Sequence, residues 1–267
     1  MSAKIRHIAI VSDQYALLGR FYQAAFGMKT ASDTRPERAV TVSDGYVGLN
    51  INPRKAGRAA GLDHFGLEVD DAEAACAALA KHKGARFVKR PSTRPFAGIS
   101  ANDPAGNVFD ISQPSMANRK SVYVDAPAKA GDNAITHFAI RTLHAEELAD
   151  FYEKVFGLKR VRKSAVAGSV SLTDGRVTLV LMPWDIRDYE GGGISRPGPD
   201  HIGFRVASID AFKERLEELG ANNPHLRGLP VGAGKEGAAR LQLFKGCRLG
   251  TYHLADPDGI LIDVAQG

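Results

Sequence analysis

Cysteine is almost absent: the 267 residues include two, Cys76 and Cys247. They fall in segments that read as different halves of the chain, one on a helix and one near a strand. This excludes a disulfide framework and a CxxC metal site. No apolar run approaches the roughly 18 residues that cross a bilayer. Met1-Ser2-Ala3-Lys4-Ile5-Arg6-His7 leads directly into a strand pattern, not into an apolar signal segment. No Lys/Arg block interleaved with aromatics is found, and the net charge of +5 is a mild excess. These absences point to a cytoplasmic protein whose partner is a small molecule, with no nucleic acid and no membrane. A homo-oligomer is compatible with all of them.

What is present is repetition. With 44% hydrophobic and 24% charged residues the chain is globular and long enough for two ordinary domains. Phe21-Tyr22-Gln23-Ala24-Ala25-Phe26-Gly27-Met28-Lys29 returns 130 positions later as Phe151-Tyr152-Glu153-Lys154-Val155-Phe156-Gly157-Leu158-Lys159. His7 and His137 share that offset, as do Ser43-Asp44-Gly45 and Thr173-Asp174-Gly175. The second half is a copy of the first. The spacing predicts a first domain over 1–115, a linker over 116–133 and a second domain over 134–267. The Ser121–Val124 stretch could add an edge strand.

Each half contains a shorter repeat of its own: a strand carrying one histidine, an amphipathic helix stopping at Gly, then alternating strands joined by turns. The predicted helices are Tyr15 to Phe26 behind the capping pair Ser12-Asp13, and Asp70-Asp71 followed by an Ala-rich run to about Lys83. In the second half they are Ala145 to Phe156 and Asp210 to Leu219. Gly27, Gly84, Gly157 and Gly220 are the expected stops. Each unit is β-α-β-β-β, and the fold class is α+β.

Strand periodicity sets the direction of the histidines. Bulky Ile8, Phe65, Phe138 and Ile202 follow His7, His64, His137 and His201, with small Ala9, Gly66, Ala139 and Gly203 next. The bulky set is expected under a helix, and the histidines on the other face. Gly259-Ile260-Leu261-Ile262-Asp263-Val264 adds a carboxylate on a late strand. Two imidazoles and one carboxylate on strands are a set that can hold a divalent metal with open positions.

The paired units, the histidine on each opening strand, the Phe-Tyr-x-x-x-Phe-Gly helix end and Asp-Pro-x-Gly followed by a carboxylate resemble the vicinal oxygen chelate superfamily. That group includes glyoxalase I, methylmalonyl-CoA epimerase, extradiol dioxygenases and bleomycin-resistance proteins. The resemblance implies two tandem domains, each curling into an open, cleft-like barrel. It also implies metal ligands at His7, His64 and Asp110 and at His137, His201 and Asp263, the second cleft being the catalytic one. The metal expected is Fe(II), with Mn(II), Zn(II), Ni(II) or Co(II) as alternatives.

A glyoxalase-type fourth ligand falls near Asn50 in the first half and near Val180 in the second, and valine cannot bind a metal. His253 occupies the place of a substrate-facing tyrosine in extradiol dioxygenases, where the first half has Ser100. It is expected to move a proton, or else to be bonded to the Asp256 turn. The second half also carries insertions, Trp184–Gly193 and Asn222–Arg240, placed to cover a substrate. It departs from the extradiol pattern in lacking a histidine in Leu243–Arg248 and another before His201. Three activities are compatible with this pattern. They are an extradiol-like dioxygenase acting on a small aromatic diol or related chelating substrate, a glyoxalase- or epimerase-type lyase or isomerase, and a drug-binding module without turnover.

Overall fold

The computed structural model describes residues 2–30, 39–89, 98–114, 133–161, 168–187, 196–232, 235, 237–239, 241–242 and 249–267. The first half runs β1 (Lys4–Ser12), α1 (Tyr15–Phe26), β2 (Lys29–Thr30), β3 (Val40–Ser43), β4 (Gly48–Pro53), β5 (Gly61–Glu68), α2 (Ala72–Leu79), β6 (Arg86–Lys89), β7 (Ile99–Asn102) and β8 (Val108–Ser112). The second half repeats this order with β9 (Ala134–Thr142), α3 (Ala145–Phe156), β10 (Lys159–Arg160), β11 (Val170–Thr173), β12 (Thr178–Pro183) and β13 (Gly198–Val206). It continues through α4 (Ile209–Asn222), β14 (Leu229–Pro230), β15 (Tyr252–Ala255) and β16 (Leu261–Gln266). The strand orders β2-β3-β4-β1-β5-β8-β7-β6 and β10-β11-β12-β9-β13-β16-β15-β14 match position for position. These are the two tandem sheets, of two β-α-β-β-β units each, that the repeat predicts. The 116–133 linker and Ser121–Val124 lie outside the described residues, except Asn133, as do Cys247 and parts of both insertions.

Helices α1 and α3 have the predicted bounds, and each closes on a left-handed glycine, Gly27 at φ 69° and Gly157 at φ 67°. Three details differ from expectation. Ser12 does not cap α1: its Oγ accepts from the Gln14 N–H at 2.7 Å and donates to Asp258 in the other half. Helix α2 ends at Leu79, before Gly84, and Asp71 caps it by accepting from the Ala74 N–H. Helix α4 runs through Gly220 to Asn222. A Cβ on Gly220 would lie 3.1 Å from Arg227 Nε, so this glycine serves close approach rather than termination.

The bulky residues beside the histidines, Ile8, Phe65, Phe138 and Ile202, are all fully buried in one core shared by both halves. The covering helices cross over. Phe26 of α1 stacks at 3.9 Å on Phe204 of β13, while Tyr152 and Phe156 of α3 pack on Phe109 of β8. The helix-end tyrosines complete the joint. Tyr22 donates to Asp256 Oδ2 and Tyr152 to Asp103 Oδ2, both at 2.9 Å and both buried. Each receiving Asp also ties its own Asp-Pro turn, Asp256 Oδ1 accepting from the Asp258 and Ile260 N–H groups. Burial pushes the Asp256 carboxyl up to about 6, against the lowering effect of these hydrogen bonds.

Candidate metal centre

Strict alternation would send the residue before each histidine to the opposite face, but β-bulges intervene. In the pairing of β9 with β13, Ile135 faces Phe204 and His137 faces Gly203, leaving Thr136 as an extra residue. His201 faces Ala139 and Pro199 faces Ile140, leaving Asp200 as another. The same two irregularities occur at Arg6 and Asp63 in the pairing of β1 with β5. A bulged residue can lean to the same side as its neighbour. Thr136 Oγ1 thus lies 3.2 Å from His137 Nδ1, and Asp200 Oδ2 lies 2.6 Å from His201 Nδ1. Occupying Nδ1 leaves Nε2 of each ring to face inward.

The three donors of the second half converge accordingly. His137 Nε2 is 3.1 Å from His201 Nε2 and 3.5 Å from Asp263 Oδ2, and all three residues are buried. The row His137–Gly203–Asp263 runs straight across three neighbouring strands. A Cβ at Gly203 would sit 1.9 Å from the His137 ring, and one at Gly250 would sit 2.2 Å from Asp263 Oδ1. Both glycines therefore make space for the side chains of the cluster. Burial, helped by His201, holds His137 down to about 3, so the ring is neutral, as a metal ligand must be. Neither oxygen of Asp263 accepts a directed hydrogen bond although both are buried. Imidazole nitrogens stand beside them, His253 Nε2 at 3.1 Å from Oδ1 and His137 Nε2 at 3.5 Å from Oδ2. Two imidazoles and a buried carboxylate fit a divalent cation with open positions.

The first half brings His7, His64 and Asp110 together in the same way, yet balances them differently. His64 Nε2 is 3.3 Å from Asp110 Oδ2, and His64 Nδ1 is 2.7 Å from Asp63. Burial opposes charge on His64, but the hydrogen bonds from Asp110 and Asp63 prevail and raise it to about 9. This cluster is compensated by its own protons. Asp63 is partly exposed and pairs with the exposed Arg58, whereas Asp200 is buried against buried Arg141 at 2.9 Å.

The remaining predicted positions fall where the register puts them. Asn50 pairs with Ala9 and Val180 with Ala139, one strand from the histidines. Asn50 Oδ1 accepts from Thr41 Oγ1 at 3.0 Å. Val180 packs with Ala139, Met182 and Leu249 into an apolar wall. His253 faces Asp263 across β15 and β16, as Ser100 faces Asp110, and its Nε2 is 3.1 Å from Asp263 Oδ1. Residue-level reading of the sequence missed Asp200, Thr136, Arg141 and Gly250. The available signal was the acid directly before the histidine in both Asp63-His64 and Asp200-His201.

The described residues contain no helix long and apolar enough to cross a membrane. A search of curated proteins finds no match. Among solved structures, the chain resembles a Mn(II)-bound glyoxalase from Novosphingobium aromaticivorans at a TM-score of 0.65 and 15% identity, over 98% of this chain and 81% of that one. It also resembles the 2,3-dioxygenase LapB from Pseudomonas sp. KL28 at 0.64 and 14%, over 99% and 92%. Homoprotocatechuate 2,3-dioxygenase from Arthrobacter globiformis gives 0.59 and 17%, over 99% and 79%. Such likeness speaks for the fold alone. The family model for the Glyoxalase/Bleomycin resistance protein/Dioxygenase superfamily matches residues 4–111 and again 134–264. With each match spanning one histidine-carboxylate cluster, the chain belongs to that superfamily, as two tandem copies of its fold.

Proposed function

We propose that the protein is a divalent-metal-dependent, extradiol-like dioxygenase acting on a small aromatic diol or related chelating substrate, with its working centre in a second domain over 134–267. The observation that carries this reading is the inward convergence of two buried imidazoles and a buried carboxylate that accepts no directed hydrogen bond, beside an apolar wall. His137, His201 and Asp263 would hold the metal, and Fe(II) or Mn(II) would supply Lewis-acid and electron-transfer chemistry when bound. Thr136 and Asp200 orient the two rings by occupying their Nδ1 atoms. Ala139, Val180, Met182 and Leu249 offer a dry surface to an aromatic ring and exclude water there. His253 can hold or move a proton at Nε2, close to Asp263.

The test is oxygen uptake by protein reconstituted anaerobically with Fe(II), across a panel of catechols and hydroquinones. Uptake that disappears in His201→Ala is expected; none with any substrate sinks the reading. A glyoxalase- or epimerase-type activity is the second reading, favoured by Asn50, which faces Ala9 on the strand that carries His7 in the first cleft. Turnover with Ni(II), Co(II) or Zn(II) that needs no oxygen would select it.

A further inference from the structure

The two halves also differ at a pair of positions beside the histidine of the opening strand. In the first half the bulge residue is Arg6, its Nε 3.7 Å from the carboxylate of Glu68 and its guanidinium 4.6 Å over the Tyr46 ring. Both partners of that ion pair are buried. The bulge residue of the second half is the smaller Thr136. The position of Glu68, which faces Lys4, is taken by Arg205, which faces Ala134. An internal ion pair is thus replaced by a cation and an opening. A cavity of about 250 Å³ lies there, bordered by Asp44, Tyr46, Thr136, Arg176 and Arg205.

We propose that this cavity is an oxyanion-binding site, built on Arg205 and Arg176. Arg205 Nε is buried and has no hydrogen-bond partner, and the side chain makes no ion pair among the described residues. A buried guanidinium N–H left unpaired is costly, whereas a carboxylate, sulfate or phosphate group would satisfy it. Arg176 stands opposite with its guanidinium held 4.2 Å over the Tyr46 ring. That stacking positions the cation, whose charge also acts on the Asp44 carboxylate. The one carboxylate in the lining, Asp44, is already engaged: Oδ1 accepts from the Tyr46 and Val47 N–H groups and Oδ2 from Ile135 N–H. The volume is several times the ~30 Å³ share of one water, enough for an oxyanion with its hydration.

The oxyanion has two sources in chemistry: a free inorganic anion, or the acidic tail of a molecule held at the neighbouring metal centre. Thr136 lines the cavity and also touches His137. The second source rests on the function proposed above; the first does not. Calorimetric titration of the metal-free full chain with inorganic phosphate, and separately with sulfate, tests the site at low ionic strength. Saturable binding is expected, weakened about tenfold or more by Arg205→Met and by Arg176→Met, with Arg205→Lys retaining part of it. No binding of either anion, or binding unchanged in both methionine variants, overturns the site. Arg176→Met carries the test should Arg205→Met fail to fold.

To separate the sources, KM is compared for carboxylate-bearing and neutral catechols in the Fe(II) enzyme. A rise in Arg205→Met confined to the carboxylate-bearing substrates assigns the site to the tail. Equal KM changes assign it to a free anion. Absence of turnover with intact phosphate binding defeats the proposed function and leaves the anion site standing.

Discussion

Gly203 has no room for a side chain, because the space a Cβ would occupy is taken by the His137 imidazole. Gly203→Ala is therefore expected to displace that ring and lower metal affinity of the second half on the order of 10–100-fold, read by chelator competition. Gly66→Ala, whose Cβ would meet His7, is expected to leave the second centre intact. An unchanged affinity in Gly203→Ala would mean that His137 is not a ligand. Asp200→Asn removes the charge that fixes His201 Nδ1 and pairs with Arg141. A loss of metal affinity of similar order is expected, again roughly 10–100-fold. A variant that binds metal like wild type would reduce Asp200 to a packing residue. The candidate ligands themselves were legible in the sequence, since four histidines recur at equivalent points. Thr136 and Asp200 were not, because a bulge breaks the period-2 rule that assigns faces.

At the scale of elements, the Phe-Tyr-x-x-x-Phe-Gly helix end was visible as a repeat, but its purpose was not. Its tyrosines act across more than 40 residues in one case and more than 200 in the other. Local patterns carry no trace of such contacts. Tyr22→Phe removes a donor from buried Asp256 and is expected to destabilise the fold by roughly 1–3 kcal/mol, measured by denaturant unfolding. Asp256 also gives the fold a pH dependence. Its carboxyl sits near 6 in the folded state, above the usual carboxylate value of 3.8. The folded state thus binds this proton more tightly than the unfolded one. Its contribution is fully present below about 4, is lost as pH rises through 6, and is flat above that. Unfolding free energies measured between pH 4 and 7 are expected to fall less with pH in Asp256→Asn than in wild type. Parallel slopes would show that Asp256 is not the group responsible. Gly220 is the opposite lesson: the residue type suggested a helix stop, and tertiary contact with Arg227 decided otherwise.

For the whole molecule, the two tandem β-α-β-β-β pairs followed from the repeat, while the strand order within each sheet came from the structure. The single core did not follow from the repeat either, because sequence similarity between halves says nothing of how they face each other. Phe26 against Phe204 and Tyr152 against Phe109 make the two halves one packing unit. Calorimetry is expected to show one cooperative unfolding transition for the full chain. Two separate transitions would contradict a shared core. Residues 134–267 expressed alone would expose the face of Phe204 and Phe212 that α1 covers. They are expected to associate or to lack cooperative unfolding.

The crossed tyrosines also bear on how one chain comes to hold two unequal clefts. Tyr22 to Asp256 and Tyr152 to Asp103 are the same contact made twice, as in the isologous joint of a two-fold dimer. A single half, freed from its copy, already carries both surfaces of that joint. Fusion of two such halves needs no new interface. Once joined, only the helix side is bound to stay symmetric, and the strand faces opposite are released to differ. One holds a histidine paired with two carboxylates, and the other a buried carboxylate that accepts no directed hydrogen bond.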